Sequence, residues 1–302
     1  MFSFPATILA GLLGLAFGSF LNVCLTRWPA GESVVKPRSH CRACERTLAW
    51  WENIPLVSWL ALRGRCRTCG TAISIRYPMV ELAVGALWAT TVFQTIHHFQ
   101  NAQAGLPYPI ASFSALYLLQ SATTIGAKML LIWLLVGLAA LDAERFWLPD
   151  IVTVPAILLG VAVSTFRGDS LFESPNPSAP ILLRLLNLAF AILVAAGIIL
   201  LIRWIYWLIR RREGIGLGDA KLMALLAAWL GLPGALLSFV MGVVLGALAG
   251  VAILGMPKLR HAKSPGLTRL PLGTFLCIGG IAATLWGPQI LAGYLRWSGL
   301  SR

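Results

Sequence analysis

Long apolar stretches recur along this chain, and they leave few folds open to it. A segment that crosses a bilayer as a helix needs roughly 20 consecutive apolar residues. Eight stretches are candidates: 5–25, 78–96, 114–141, 151–166, 181–202, 217–232, 234–256 and 272–295. The fourth and sixth are short, which predicts less tilt or entry into a thinned region. Only 12% of the residues are charged, against about 25% in an ordinary soluble domain. The expected fold is an all-α polytopic membrane protein of about eight transmembrane helices.

The net charge is +13, a value that raises the possibility of nucleic-acid binding. Its distribution argues against that. Loop 26–77 carries Arg27, Lys36, Arg38, Arg42, Arg46, Arg63, Arg65, Arg67 and Arg76. Loop 203–221 carries Arg203, Arg210, Arg211, Arg212 and Lys221, and loop 257–270 carries Lys258, Arg260, Lys263 and Arg269. Segment 97–113 has no Lys or Arg, and segment 167–180 has only Arg167. Basic loops alternating with nearly neutral ones are the positive-inside pattern. With eight spans both termini fall outside, and the basic loops face the cytoplasm. The first apolar run lacks a basic n-region and a small-residue cleavage site before Arg27, so it reads as a retained helix rather than a signal peptide.

Residues 26–77 form the one sizeable soluble segment. Four of the six cysteines lie in it, as Cys41-Arg-Ala-Cys44 and Cys66-Arg-Thr-Cys69. Two C-x-x-C knuckles separated by 21 residues resemble a zinc-ribbon spacing. Each knuckle supplies two thiolates to one tetrahedral ion. A segment of this size buries little core, so a metal would contribute folding energy. Two disulfides are the alternative, which a reducing cytoplasmic loop disfavours. The basic residues around the knuckles suit thiolates and an anionic lipid surface. Trp50, Trp51 and Trp59 alternate with Ile54-Pro55-Leu56-Val57, a face for a membrane interface or other helices rather than for a nucleic acid. Cys24 and Cys277 lie in apolar runs and read as packing residues.

Two aspartates stand at the edges of apolar helices. Asp142 ends the run Leu130–Leu141, and Asp219 lies in Gly214-Ile-Gly216-Leu-Gly218-Asp219, just before Leu222–Leu232. An ionisable group near hydrocarbon is costly and points to function. The positive-inside assignment puts both on the cytoplasmic side. Two carboxylates that share a proton are the chemistry of aspartic proteolysis. Each also has a plainer reading. Asp142 would be a solvated helix-end carboxylate like Glu144, although the macrodipole disfavours an acid at a helix C-terminus. Asp219 would be an acid welcomed near a helix N-terminus.

The order of motifs resembles the bacterial type IV prepilin leader peptidases. Gly18-Ser-Phe-Leu-Asn22-Val is similar to the family's first-helix signature. Arg27-Trp-Pro29, the paired knuckles, Asn53-Ile-Pro55-Leu and Arg76-Tyr77-Pro78-Met-Val-Glu81-Leu follow in the family's order. So do Leu141-Asp142 through Leu148-Pro149-Asp150, and Gly216-Leu-Gly218-Asp219-Ala-Lys221-Leu. Three positions depart from it. Arg42 stands in the first knuckle where proline is frequent, Glu52 where aspartate is common, and Thr274 follows Pro271-Leu-Gly273 where proline often comes soon after.

The resemblance implies an inner-membrane aspartic endopeptidase. It would cut the short basic leader of prepilins or of type II secretion pseudopilins, on the cytoplasmic side, after a glycine. It also implies N-methylation of the new terminus with S-adenosylmethionine, and no need for metal in the proteolytic step. Asp142 and Asp219 take the dyad roles. Gly216 and Gly218, with Gly214, are expected to unwind the backbone and admit a substrate strand. Asp150 is expected to cap the fourth helix. Lys221 is read as a cytoplasmic anchor, with electrostatic tuning of the dyad as its alternative. Glu81 is expected to pair with Arg76 or Arg27, and Asn22 and Ser19 to join helices. Gly214–Gly218 has the spacing G-x-G-x-G with no preceding strand, so it is no dinucleotide fingerprint. No residue locates an S-adenosylmethionine site.

The chain thus divides into a first helix (1–25), a zinc-binding loop (26–77) and a peptidase core (78–302). The rivals are an ion- or proton-coupled transporter, a membrane-tethered zinc module that binds a protein or nucleic acid, and a peptidase without methyl transfer.

Overall fold

The computed structural model describes residues 3–104, 115–168, 170–172, 180–211, 216–255 and 270–299. Its helices are α1 (Ser3–Arg27), a short α2 (Val57–Ala61), α3 (Arg76–Ala104), α4 (Ala115–Arg145), α5 (Asp150–Arg167), α6 (Ile181–Arg210), α7 (Leu217–Gly255) and α8 (Leu272–Trp297). All but α2 are long and apolar enough to cross a membrane, which makes seven among the described residues. The chain divides into two compact units, Met1–Gly137 and Leu138–Arg302, with the boundary inside α4.

In the first unit α1 and α3 run antiparallel. Gly14 lies against Gly85, and Gly18 against Glu81. One turn further on, Asn22 Nδ2 donates to Tyr77 O at 2.9 Å. Small residues let the two backbones approach, the usual device where lipid supplies no hydrophobic drive between helices. Indole N–H groups tie α4 in: Trp88 donates to Met129 O and Trp133 to Phe17 O. Glu81 takes the Leu56 amide at 2.8 Å. Arg27, one of the two arginines expected there, spends its guanidinium on Ser33 O and Pro37 O instead. Those two bonds close the turn that follows α1.

The second unit explains why eight apolar stretches give seven helices. α7 has 39 residues, about 58 Å of helix, roughly twice the hydrocarbon thickness. It breaks at Gly231, with φ 68° and ψ −178°. That φ is in the region open to glycine, and Pro233 then starts the second arm. Neighbours show that the chain turns back there. Leu148 lies against Gly218 and Gly273, while Phe172 lies against Gly234 and Gly287. The first arm starts beside Leu148 and ends beside Gly160, where Trp229 packs. The second arm starts beside Phe172 and returns along α8, with Ser238 against Gly279, Gly242 against Leu276 and Gly250 against Leu270. The sixth and seventh apolar stretches, 217–232 and 234–256, are therefore separate arms of one hairpin.

The break leaves carbonyls at the end of the first arm without helical partners. Ser164 Oγ donates to Ala228 O at 2.8 Å, and the Leu171 amide to Trp229 O at 2.8 Å. The Trp229 indole donates to Ala156 O at 2.9 Å. Residues 222–230 are buried without interruption, so this arm is apolar on every face because protein surrounds it.

Candidate functional site

The cysteine loop is built twice from one local pattern. In the first knuckle the Cys41 amide donates to Arg46 O and the Glu45 amide to Cys41 O. In the second the Cys66 amide donates to Thr71 O and the Gly70 amide to Cys66 O. An isolated antiparallel bridge closes each, His40 with Thr47 and Arg65 with Ala72. The residue after each second cysteine has positive φ, Glu45 at 56° and Gly70 at 70°. The repeat turns both pairs of sulfurs toward one point. All six cysteines are free, and the four loop sulfurs lie within 4.8 Å of one another.

This arrangement fits a metal ion. Four thiolates about 2.3 Å from a tetrahedral ion lie about 3.8 Å apart, and Cys41 Sγ is 3.8 Å from Cys69 Sγ. Amides of Cys69 and Thr68 directed at Cys66 hold its thiol down at about 6. The Thr71 hydroxyl and amide lower Cys69. Cys44 is pushed up to about 11: the Arg46 amide favours its thiolate, but burial and the three neighbouring sulfurs outweigh it. A cation would remove that conflict.

Side chains around the knuckles fix them. Arg46 reaches Glu52 with two bonds, 3.0 and 2.7 Å, and the Ala49 amide donates to Glu52 at 2.8 Å. The Arg46 guanidinium, then that amide, hold the Glu52 carboxyl below its ordinary range. Arg42 donates to Thr26 O at 3.2 Å, so the loop's departures at 42 and 52 are both structural contacts. Trp59 donates to Ile73 O, and the Arg67 guanidinium lies over the Trp51 ring at 5.1 Å.

The two aspartates belong to the second unit, and four elements converge on them. Asp142 is near the C-terminus of α4 and only 6% exposed, while Glu144 two residues later is exposed. The solvated helix-end reading therefore fails for Asp142. Its Oδ2 accepts the Thr274 amide at 2.6 Å and faces the Thr274 hydroxyl at 3.0 Å. Asp219 is in the first turn of α7, where its Oδ2 accepts the Gly216 amide at 3.3 Å. Cys277, one turn beyond Thr274 on α8, is fully buried. Leu148 joins the assembly, because it touches both Gly218 and Gly273.

The supporting residues fall in different places. Gly216 precedes α7, but Gly218 lies inside its first turn, so unwinding does not extend to it. Its missing side chain makes room for Leu148 instead, 3.2 Å from where a Cβ would stand. Gly214 lies outside the described residues. Asp150 does not cap α5: the cap position is Pro149, and no side chain bonds there. Proline fixes the entry to α5, and Asp150 turns outward to pair with Lys221 Nζ at 2.5 Å. Asn22 joins α1 to α3 as expected, and Cys24 and Cys277 are buried.

Two residues escaped the sequence reading. Thr274 supplies both donors that Asp142 has among the described residues, and Gly273 lets that carboxylate approach, since a Cβ there would lie 2.9 Å from Asp142 Cγ. The one signal was the departure from the familiar Pro-x-Gly context at 274.

Comparison with known proteins gives a consistent family. Residues 12–95 match the bacterial peptidase A24 N-terminal domain, and residues 129–251 match the type IV leader peptidase family. A prepilin leader peptidase/N-methyltransferase of Stutzerimonas stutzeri is 33% identical over 312 residues, covering 96% of this chain and 93% of its own. One of Pseudomonas aeruginosa is 34% identical, covering 95% and 93%. One of Myxococcus xanthus is 38% identical over 219 residues, covering 72% of this chain and 54% of its own. No solved structure matches the chain. The apolar helices and these relatives fit a multi-pass inner-membrane protein. With full-length relatives above 30% identity and both domain models matched in order, the chain belongs to the type IV leader peptidase family.

Proposed function

We propose that this chain is a membrane aspartic endopeptidase that removes the basic leader of type IV prepilins or type II secretion pseudopilins. The cut falls after a glycine on the cytoplasmic side. The observation that carries this reading is the approach of Asp142, from α4, and Asp219, from α7, to one shared neighbour: Leu148 packs on Gly218, beside Asp219, and on Gly273, against which Asp142 lies. One carboxylate, ionised, takes a proton from water as the oxygen attacks the scissile carbonyl. The other, protonated, donates to the carbonyl oxygen. Like charges at short range make the sharing of one proton between them the stable arrangement. A peptide bond inside a helix is shielded, so the target is extended at the cut.

Orientation rests on charge. The hairpin at Gly231 supports eight passes, and with eight passes the basic loops and both aspartates share the cytoplasmic side. The substrate helix lies in the bilayer with its leader in the cytoplasm, and the basic cysteine loop faces anionic lipid. In that loop Cys41, Cys44, Cys66 and Cys69 hold zinc as a closed four-thiolate structural site. Methyl transfer to the new terminal amine is supported by the relatives' names. S-adenosylmethionine would supply the methyl group, and no residue is assigned to it. A transporter is not favoured, since it leaves the paired knuckles unexplained.

Mass spectrometry of a purified prepilin after incubation with enzyme and S-adenosylmethionine tests the reading. The expected product is shortened and methylated with the native enzyme, and uncut with Asp142→Asn or Asp219→Asn. Shortening without methylation removes the transferase. A prepilin left whole by well-folded enzyme, with a second pilin also refused, removes the peptidase.

A further inference from the structure

Asp142 and Asp219 have unlike surroundings. The Thr274 amide points at Asp142 Oδ2 from 2.6 Å. A backbone amide only donates, so a contact this short favours an ionised carboxylate. The Thr274 hydroxyl is 3.0 Å from the same oxygen and 3.2 Å from Ala139 O. Its one proton goes to the nearer acceptor, the carboxylate, and fixes its orientation, with the Ala139 carbonyl beside it. Among the described residues Asp219 has one donor, the Gly216 amide, at 3.3 Å, beyond the usual N–H···O range. Both acids lie by a helix N-terminus, Asp142 by that of α8 and Asp219 in that of α7. Asp142 also stands in the last turn of α4, whose dipole disfavours its charge, so the ionised state of Asp142 rests on the number and closeness of its donors.

We propose that Thr274 is a positioning residue that keeps Asp142 ionised, so that Asp142 takes the proton from the attacking water and Asp219 starts protonated. This rests on the peptidase reading above. Water's oxygen bonds to the carbonyl carbon, its proton goes to Asp142, and the Asp219 proton goes to the carbonyl oxygen. The tetrahedral diol then collapses. Asp142 returns its proton to the departing nitrogen as the C–N bond breaks, and Asp219 recovers one from a diol hydroxyl. The products are a carboxyl group and an amine, and the dyad regains its starting state. The other titratable groups nearest the acids are Glu144 and Arg145, exposed at the end of α4, Cys277, buried on α8, Lys221 on α7 and Asp150 on α5. The last two pair with each other.

The test is the pH profile of kcat/KM for prepilin cleavage by full-length enzyme in detergent, with Thr274→Ser, Thr274→Val and Thr274→Pro beside the native chain. Thr274→Ser keeps both donors and is expected to overlay the native profile. Thr274→Val loses the hydroxyl and moves the acid limb up by about one pH unit, the usual scale for a hydrogen bond to a charged group. Thr274→Pro also loses the amide and moves it further, and in each the basic limb stays in place. Movement of the basic limb alone would overturn the assignment. So would a fall in rate at every pH with both limbs unmoved. If melting curves show Thr274→Pro misfolded, the Val and Ser variants still decide. Failure of the peptidase reading looks different: native enzyme leaves the prepilin whole, or both aspartate variants cut it.

Discussion

The cysteine loop and the aspartate site solve the same problem, convergence of charged or ionisable groups, by opposite routes. In the loop each knuckle is shaped by hydrogen bonds that close within a few residues, such as Cys41 N to Arg46 O and Cys66 N to Thr71 O. The same turn is used twice, and the four sulfurs follow. In the aspartate site the contact that orients Asp142 spans 132 residues of sequence, to Thr274. There geometry depends on how α4, α7 and α8 pack. A site made of local turns tolerates change elsewhere in the chain, whereas a site made by helix packing is exposed to every substitution between those helices.

The largest break in this comparison is expected from Asp142→Asn or Asp219→Asn. Either lowers prepilin cleavage by about 10²–10⁴-fold or more, the range for removing a general acid or base. Metal content, read by elemental mass spectrometry, stays at the native level because the knuckles are untouched. Next comes Gly273→Ala, which puts a Cβ 2.9 Å from Asp142 Cγ. Forced displacement of the carboxylate is expected to cost about 10–100-fold in kcat, again with metal retained. Cys66→Ser is the converse. It abolishes stoichiometric metal and increases proteolytic nicking in 26–77, while cleavage falls by less than about tenfold. A comparable loss of cleavage would show that the two regions are coupled.

The smallest expected effect is at Glu52. Arg46 and the Ala49 amide hold its carboxyl below the ordinary range in the folded loop. A depressed carboxyl contributes stability that is full above the unfolded value, 4.5, and is lost as pH falls through the folded one. Amide exchange at Ala49 should therefore quicken as pH is lowered through and below that range, after correction for the intrinsic rate. Glu52→Gln should exchange faster already at neutral pH and lose that dependence. Unchanged exchange in the variant would place the knuckle's stability elsewhere.

Much of this was legible in the chain. Apolar length marked every long helix, because hydrocarbon thickness sets a minimum that few soluble helices imitate. The sixth and seventh stretches part at position 233 in the sequence, but the pivot is Gly231, since only a glycine there takes φ 68° cheaply. The cysteine spacing announced four converging sulfurs able to hold an ion, because C-x-x-C is a local geometry. The capping role expected of Asp150 failed because Pro149 already fixes the entry to α5, and a side chain 71 residues away, Lys221, takes the carboxylate instead.

The sequence by itself determined the membrane helices, the four-cysteine loop and the two acids set at helix edges, since each is a matter of length, spacing or local turn chemistry. Only the tertiary structure decided that Asp142 is buried while Glu144 is exposed, that Leu148 packs against both Gly218 and Gly273, and that Thr274 faces Asp142. The physical reason is that burial and hydrogen-bond partnership across helices depend on which faces meet, and no short stretch of sequence encodes its neighbour 132 residues away.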